Sequence, residues 1–330
     1  MHPFVYARPS DLPSALATLD GDAETSRLLA GGTTLYDLMK LDVERPVRII
    51  DISRLPELTD VDTSGGELVL GALARMSDVA ADARLVSEFP VLSEALWKAA
   101  SQQIRNMASL GGNLLQRTRC AYFRHGEPFA CNKRVPGSGC SALEGLNRGH
   151  ALFGGSGSCI ATYPGDFAVA LMALDAQVDV IGPHGQRSIP IGRLHLPPGD
   201  APHKETSLFP NEIITRIRVP VGEIGKASTY HKIRDRESYA FAVVSAAVAV
   251  RLVEGVVADA RIALGGVATV PWRASEAEQS LIGKAVTPQT ALEAGRRAFA
   301  HAVPLEHNAF KIELGANVVR DALLTANGRA

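Results

Sequence analysis

Residues 27–40 read RLLAGGTTLYDLMK, and the succession of residue types in them decides how the N-terminal part of the chain folds. An extended apolar run ends in Gly31 and Gly32, and residues 34–40 resume at helical spacing. A strand entering a helix through two glycines exposes consecutive main-chain N–H groups, and Thr33 and Thr34 add hydroxyl donors. The pattern suits an anion, and it equally suits a plain strand-to-helix turn with a threonine cap. It is neither a P-loop, which would end in Gly-Lys-Ser/Thr, nor a G-x-G-x-x-G fingerprint. Upstream, Ser10 or Asp11 caps a short helix with Ala15, Leu16 and Leu19 on one face; downstream, VRIIDIS (47–53) is a second strand. Residues 1–60 therefore read as a βαβ-like unit.

A second unit follows. ELVLGAL (67–73) is strand-like, a helix opens at Ser77, and VLSEALWKAASQQI (91–104) has helical spacing throughout. IRNMASLGGNLLQ (104–116) is a second glycine bend, with Ser109 and Asn113 as polar neighbours and further main-chain donors expected from it. TYPGDF (162–167) leads into a helix, with Asp166 in its first turn, where a carboxylate favours the helix dipole or accepts from a sugar hydroxyl. Residues 212–220 alternate as a strand, and composition shifts near 222–228. Beyond lies a β-hairpin or meander turning at Gly255, then helices over 274–282, 288–301 and 307–325. The fold class is α+β: a βαβ-like subdomain (1–60), a mixed α/β subdomain (61–222), and an antiparallel sheet with helices (226–330).

Composition narrows the function. The 330 residues are 46% hydrophobic and 21% charged, with a net charge of −1, so no basic excess exists to neutralise phosphates or an anionic membrane. The first residues lack the basic and apolar regions of a secretory signal, and the longest apolar run (240–250) is about half a bilayer crossing. A cytoplasmic protein is expected, with export possible only alongside a signal-bearing partner. No nucleophile or acid–base pair stands out; His231 beside Lys232 is the one candidate for tuning a bound group.

All four cysteines, Cys120, Cys131, Cys140 and Cys159, lie in one window within residues 116–160, which carries eight glycines and no sustained apolar pattern. A long irregular stretch inside a domain is usually functional. Disulfides need oxidising conditions that a chain without a signal does not meet. Zinc sites normally use Cys-x-x-Cys pairs, whereas the intervening stretches here are ten, eight and eighteen residues. A 4Fe–4S cluster accepts thiolates delivered singly by a long loop, and six Lys/Arg over 117–148 against Glu127 and Glu144 would favour thiolates.

AGGTTLYDLMK, ASLGGNL and PGDFAVALMALDA, in that order and followed by NEIITRIRVP and YHKIRDRESYAFAVVSAAVAV, resemble the FAD-binding subunits of the xanthine dehydrogenase and molybdenum hydroxylase family. The resemblance covers nearly the whole chain. It implies a two-part FAD-binding domain and a C-terminal flavoprotein domain, with the two bends around the FAD pyrophosphate. The positions it implies for FAD are Ala30, Gly31, Gly32, Thr33, Thr34, Leu35, Ser109, Gly112, Asn113, Gln116, Asp166, Ile214 and Lys232. Lys232 also reads as a solvated charge at the head of a strand. One departure is plain: 52 residues separate Asn113 from Asp166, where most members have a dozen or so, so the cysteine window is an insertion. Such an insertion is similar to those of bacterial aldehyde oxidoreductases and 4-hydroxybenzoyl-CoA reductase, which implies a 4Fe–4S cluster on the four cysteines. The implied assembly adds a molybdopterin-binding large subunit, a small subunit with two 2Fe–2S clusters, and an external acceptor such as ferredoxin. Rival readings are a hydroxybenzoyl-CoA-reductase-like or xanthine dehydrogenase subunit, and a non-catalytic, metal-stabilised scaffold.

Overall fold

The computed structural model describes residues 1–21 and 23–330. Its first sheet is wholly parallel, with β1 (Val5–Ala7), β2 (Ser26–Leu29) and β3 (Arg48–Asp51) in the order β1-β3-β2. Helix α1 (Leu12–Asp20) links β1 to β2, and α2 (Leu35–Lys40) links β2 to β3. Asp11, not Ser10, starts α1: its carboxylate accepts from Ser14 N while Ser14 Oγ returns a bond to the cap, a closed capping box. Ala15 and Leu19 turn inward, as the helical spacing requires. Strand β1 carries no sequence signal, being three residues long with an exposed face.

The second sheet is antiparallel, built from β4 (Val61–Asp62), β5 (Glu67–Gly71), β6 (Gln177–Gly182), β7 (Gly185–Pro190) and β8 (Ile213–Pro220) in the order β4-β5-β8-β6-β7. Between β5 and β6 run α3 (Met76–Ala80), α4 (Ala83–Glu88), α5 (Pro90–Trp97), α6 (Gln102–Arg105), α7 (Leu110–Leu114), α8 (Ala121–Arg124) and α9 (Phe167–Ala173); α10 (Ile191–Leu194) follows β7. Two helices expected from spacing are divided. The Asp82 carboxylate takes the N–H groups of Arg84 and Leu85, which starts α4 afresh after α3, and Ser77 caps nothing. The helix expected over 91–104 stops at Trp97, because Ala100 adopts a φ of 49° and Ser101 then caps α6.

The third sheet, β9 (Ser228–Ile233), β10 (Val244–Val253), β11 (Val256–Gly265) and β12 (Trp272–Arg273), is antiparallel in the order β12-β11-β10-β9. Glu254 and Gly255, both with positive φ, make the two-residue turn that suits the sheet's twist. Helices α11 (Ser275–Leu281), α12 (Pro288–Ala298) and α13 (Phe310–Asn327) cover one face. Helix α9 packs on the other, and one apolar core runs from Leu68, Leu70 and Ile217 through Phe167 and Leu171 to Tyr230, Ala247 and Ala263. The cysteine window is anchored rather than loose. Leu152 and Phe153 enter the third-sheet core, and Leu152 N donates to Val267 O at 2.7 Å. Among the described residues, no helix is long and apolar enough to cross a membrane.

Glu94 ties α5 to β9 of the third sheet and to Arg329 just beyond α13. It accepts from Thr229 Oγ1 at 2.8 Å, Tyr230 N at 2.9 Å and Arg329 at 2.7 Å. Burial pushes its carboxyl up, but the Tyr230 N–H, Lys98, Thr229 and Arg329 outweigh burial and hold it below the ordinary range. A carboxylate lowered in the folded state stabilises above its unfolded value and loses that contribution as pH falls through the folded value. Glu94→Gln is expected to cost about 1–3 kcal/mol at neutral pH and to flatten the acid limb of stability, read by urea unfolding at stepped pH.

Candidate functional site

The two glycine bends lie back to back. A Cβ on Gly31 would overlap the Met107 carbonyl, and a Cβ on Gly111 would come within 3.1–3.2 Å of Ala72. Gly32 holds a φ of 72°, a conformation that only glycine takes without strain. In the first bend no protein group accepts from the N–H of Gly31, Gly32 or Thr33 among the described residues, and Thr34 makes no side-chain cap to α2. Ala30, Leu35 and both threonines are half-buried around these donors. With six residues, α2 adds little macrodipole, so the main-chain amides themselves carry the attraction for an anion.

The second bend differs from expectation. Residues 110–114 close into one helical turn capped by Ser109, whose Oγ accepts from Gly112 N at 3.2 Å. Leu110 N and Gly111 N go to Ala74 O and Ala72 O, and Asn113 N to Ser109 O, so these main-chain donors are already used. What this bend presents instead is Asn113, whose buried Oδ1 has no partner while Nδ2 meets Met76 Sδ. Gln116 braces the turn through Nε2 to Asn113 O at 2.9 Å. Unused amides on one side and an orphaned amide oxygen on the other fit a ligand with phosphate and hydroxyl groups.

Asp166 and Lys232 form a buried pair at 2.7 Å. Asp166 sits at the N-cap of α9 without capping it, and its second oxygen accepts from Tyr230 at 2.6 Å. Lys232 lies near the end of β9 with 1% of its side chain exposed, so it is no solvated charge; it also donates to Lys98 O at 3.0 Å. Burial pushes the Asp166 carboxyl up against the pull of Lys232 and Tyr230. Ile214 is buried in β8 opposite Val180. His231, paired across the sheet with Ala246, has its imidazole pKa lowered by burial and by Lys98.

The four cysteines border a single cavity together with Phe123, Ala130, Ala142 and Ala161. All four are free thiols, and Cys131 and Cys140 face each other across a backbone bridge. Among the described residues no three His, Cys, Asp or Glu side chains close on a point that would hold one metal ion. Burial pushes the Cys120 thiol up to about 12 and raises Cys159 too, so an ionised sulfur here needs a cation to hold it. The basic residues of the window are engaged elsewhere. Arg119 and Arg124 bind Asp37 on α2, Arg117 and Lys133 bind Glu205, Arg148 binds Asp235, and Arg134 donates to carbonyls including Tyr122 O and Phe123 O. Lys133 also pulls the Cys159 thiol down against burial. Leu38 of α2 packs against Phe123 and Cys131. Two histidines escaped sequence reading. His150 Nε2 lies 3.2 Å from Cys120 Sγ, and buried His195 holds Leu114 O at 2.9 Å, both imidazoles lowered to about 4 by burial.

The family described as FAD binding domain in molybdopterin dehydrogenase matches residues 2–222, and CO dehydrogenase flavoprotein C-terminal domain matches residues 228–326. The chain belongs to the FAD-binding medium subunits of the molybdenum hydroxylases. It is 43% identical over 331 residues, all of both chains, to the aldehyde oxidoreductase FAD-binding subunit PaoB of Escherichia coli (strain K12). It is 30% identical to the glyceraldehyde dehydrogenase medium chain of Sulfolobus acidocaldarius, over 85% of this chain and 82% of that one. Carbon monoxide dehydrogenase from Hydrogenophaga pseudoflava superposes with a TM-score of 0.78 at 28% identity over the full length of both chains. Membership makes this chain an oxidoreductase flavoprotein component with FAD as its cofactor.

The contact at Gly31 yields a test of that cofactor. Gly31→Ala forces the two bends apart and should leave purified protein with less than a tenth of the wild-type flavin, read from the visible flavin absorbance against protein. Lys232→Met strands a buried carboxylate and should cost about 3–5 kcal/mol, whereas the Lys232→Met/Asp166→Asn double variant recovers at least about 1 kcal/mol by thermal unfolding. A carboxyl raised in the folded state loses stability as pH climbs, so the single-variant defect should grow above the ordinary carboxylate range.

Proposed function

We propose that the chain is the FAD-binding subunit of a heterotrimeric, molybdenum-containing aldehyde oxidoreductase and carries an additional 4Fe–4S cluster. The observation that carries this reading is the placement of four inserted cysteines around one cavity, two of whose lining residues, Phe123 and Cys131, pack against Leu38 of α2. In this reading Gly31, Gly32 and Thr33 offer main-chain donors to the FAD pyrophosphate. Ala30, Thr34 and Leu35 flank it, and Ser109, Gly112, Asn113 and Gln116 close the opposite side. Asp166, Ile214 and Lys232 complete the surroundings of the nucleotide and ring. FAD, when bound, supplies the redox chemistry; the protein binds, orients and screens it.

Cys120, Cys131, Cys140 and Cys159 are the proposed cluster ligands, because four thiols around a common space without a common point suit a cube of iron and sulfide better than one zinc ion. The partners are a molybdopterin-binding large subunit and a small subunit with 2Fe–2S clusters, from which this chain receives electrons for an external acceptor such as ferredoxin. The aldehyde assignment rests on the 43% identical relative and is preferred on that ground to the hydroxybenzoyl-CoA reductase and xanthine dehydrogenase readings.

The assembled enzyme with Cys131→Ser is expected to keep its flavin and lose the iron and acid-labile sulfide of one cluster. If the cluster relays electrons outward, turnover with a protein acceptor should fall at least tenfold while a small dye keeps its rate. Full rates with both acceptors would refute the relay, and unchanged iron would refute the cluster itself.

A further inference from the structure

His150 is held firmly at its main chain and by a single polar contact at its ring. Its carbonyl accepts from Asn308 Nδ2 at 3.3 Å and from Lys311 Nζ at 3.1 Å, both on or next to α13. Lys311, 1% exposed, also donates to Gly266 O at 2.9 Å, and so fastens the window to the end of the third sheet. His150 N donates to Asn147 O at 2.9 Å, and Asn147 Oδ1 accepts from His307 N at 3.0 Å. The ring makes one polar contact, Nε2 to Cys120 Sγ at 3.2 Å, within reach of an N–H···S hydrogen bond. Its Nδ1 is buried without a partner, and the Tyr122 ring lies 6.2 Å away. Among the described residues no carboxylate hydrogen-bonds to the imidazole, and Lys311 is the nearby cation that lowers it.

These contacts fix the tautomer once Cys120 is ionised. A thiolate is an acceptor only, so Nε2 must carry the hydrogen, and Nδ1 is then a bare acceptor. The geometry points to His150 as a positioning residue that donates Nε2–H to the Cys120 thiolate and sets the reduction potential of the cluster in this cavity. The inference rests on the cluster proposed above. A donor to a ligating sulfur stabilises the more negative, reduced state and raises the potential. No bond to iron is asked of the ring.

The assembled enzyme tests this by redox titration followed by electron paramagnetic resonance, tracking the iron–sulfur signal that Cys131→Ser abolishes. His150→Leu removes the donor but leaves the carbonyl tethers to Asn308 and Lys311 in place. It should keep full iron and lower the ratio of reduced to oxidised cluster at a fixed potential at least tenfold, about 59 mV for a one-electron couple. His150→Gln, whose amide can reach the same sulfur, should restore most of that ratio. An unchanged ratio in His150→Leu overturns the inference while leaving the cluster standing. Loss of iron from either variant overturns it in the other direction, by making the ring a ligand. Absence of any signal assignable to Cys131 in the wild-type enzyme removes the cluster reading, and the inference with it.

Discussion

The backbone of Gly31 rests against the carbonyl of Met107 with no room for a side chain between them. That contact seats the turn between β2 and α2 directly on the stretch that leads into the second bend. Helix α2 then has two jobs. At its start lie the unused amides of the first bend, while Leu38 and Asp37 grip the cysteine window through Phe123, Cys131, Arg119 and Arg124. Helix α2 therefore connects the proposed flavin site with the cysteine window.

The charges of the window do structural work that a count of basic residues misrepresents. Each Arg or Lys expected to favour thiolates meets a carboxylate or a carbonyl, Lys133 acting on Cys159 as well, and several partners belong to other parts of the fold. Glu44 comes from the loop after α2, Glu205 from the connection that follows α10, and Asp235 from the loop after β9. The insertion is therefore laced into its surroundings from three directions, and its shape depends on all of them.

Much of this was legible in the chain. The strand, bend and helix at 27–40, the hairpin turning at Gly255 and the clustering of the thiols follow from local residue types, which act over a few neighbours. Where tertiary contacts decide, the reading failed in identifiable ways. The helix expected over 91–104 broke at Ala100, since spacing does not encode a positive φ. From sequence Lys232 reads either as a flavin neighbour or as a solvated charge, because nothing nearby announces Asp166 and Tyr230 as its surroundings. The second bend offers free donors on sequence grounds, since nothing in it reveals that the Ala72 and Ala74 carbonyls take them. His150 carried no signal, being one histidine in an irregular stretch whose meaning comes from α13, more than 150 residues later.

That last separation bears on how the molecule matures. The segment around residues 147–153 is secured by Gly266, Val267, His307, Asn308 and Lys311, all made late in synthesis. Domains tend to form as they emerge from the ribosome, N-terminal parts first, and distant pairings close last. The nascent chain can shape its glycine bends early, whereas the tether at the His150 carbonyl forms only when the final helix docks. Loading of the proposed cluster would then follow translation, and a chain truncated before α13 would lose the Lys311 bond to the His150 carbonyl.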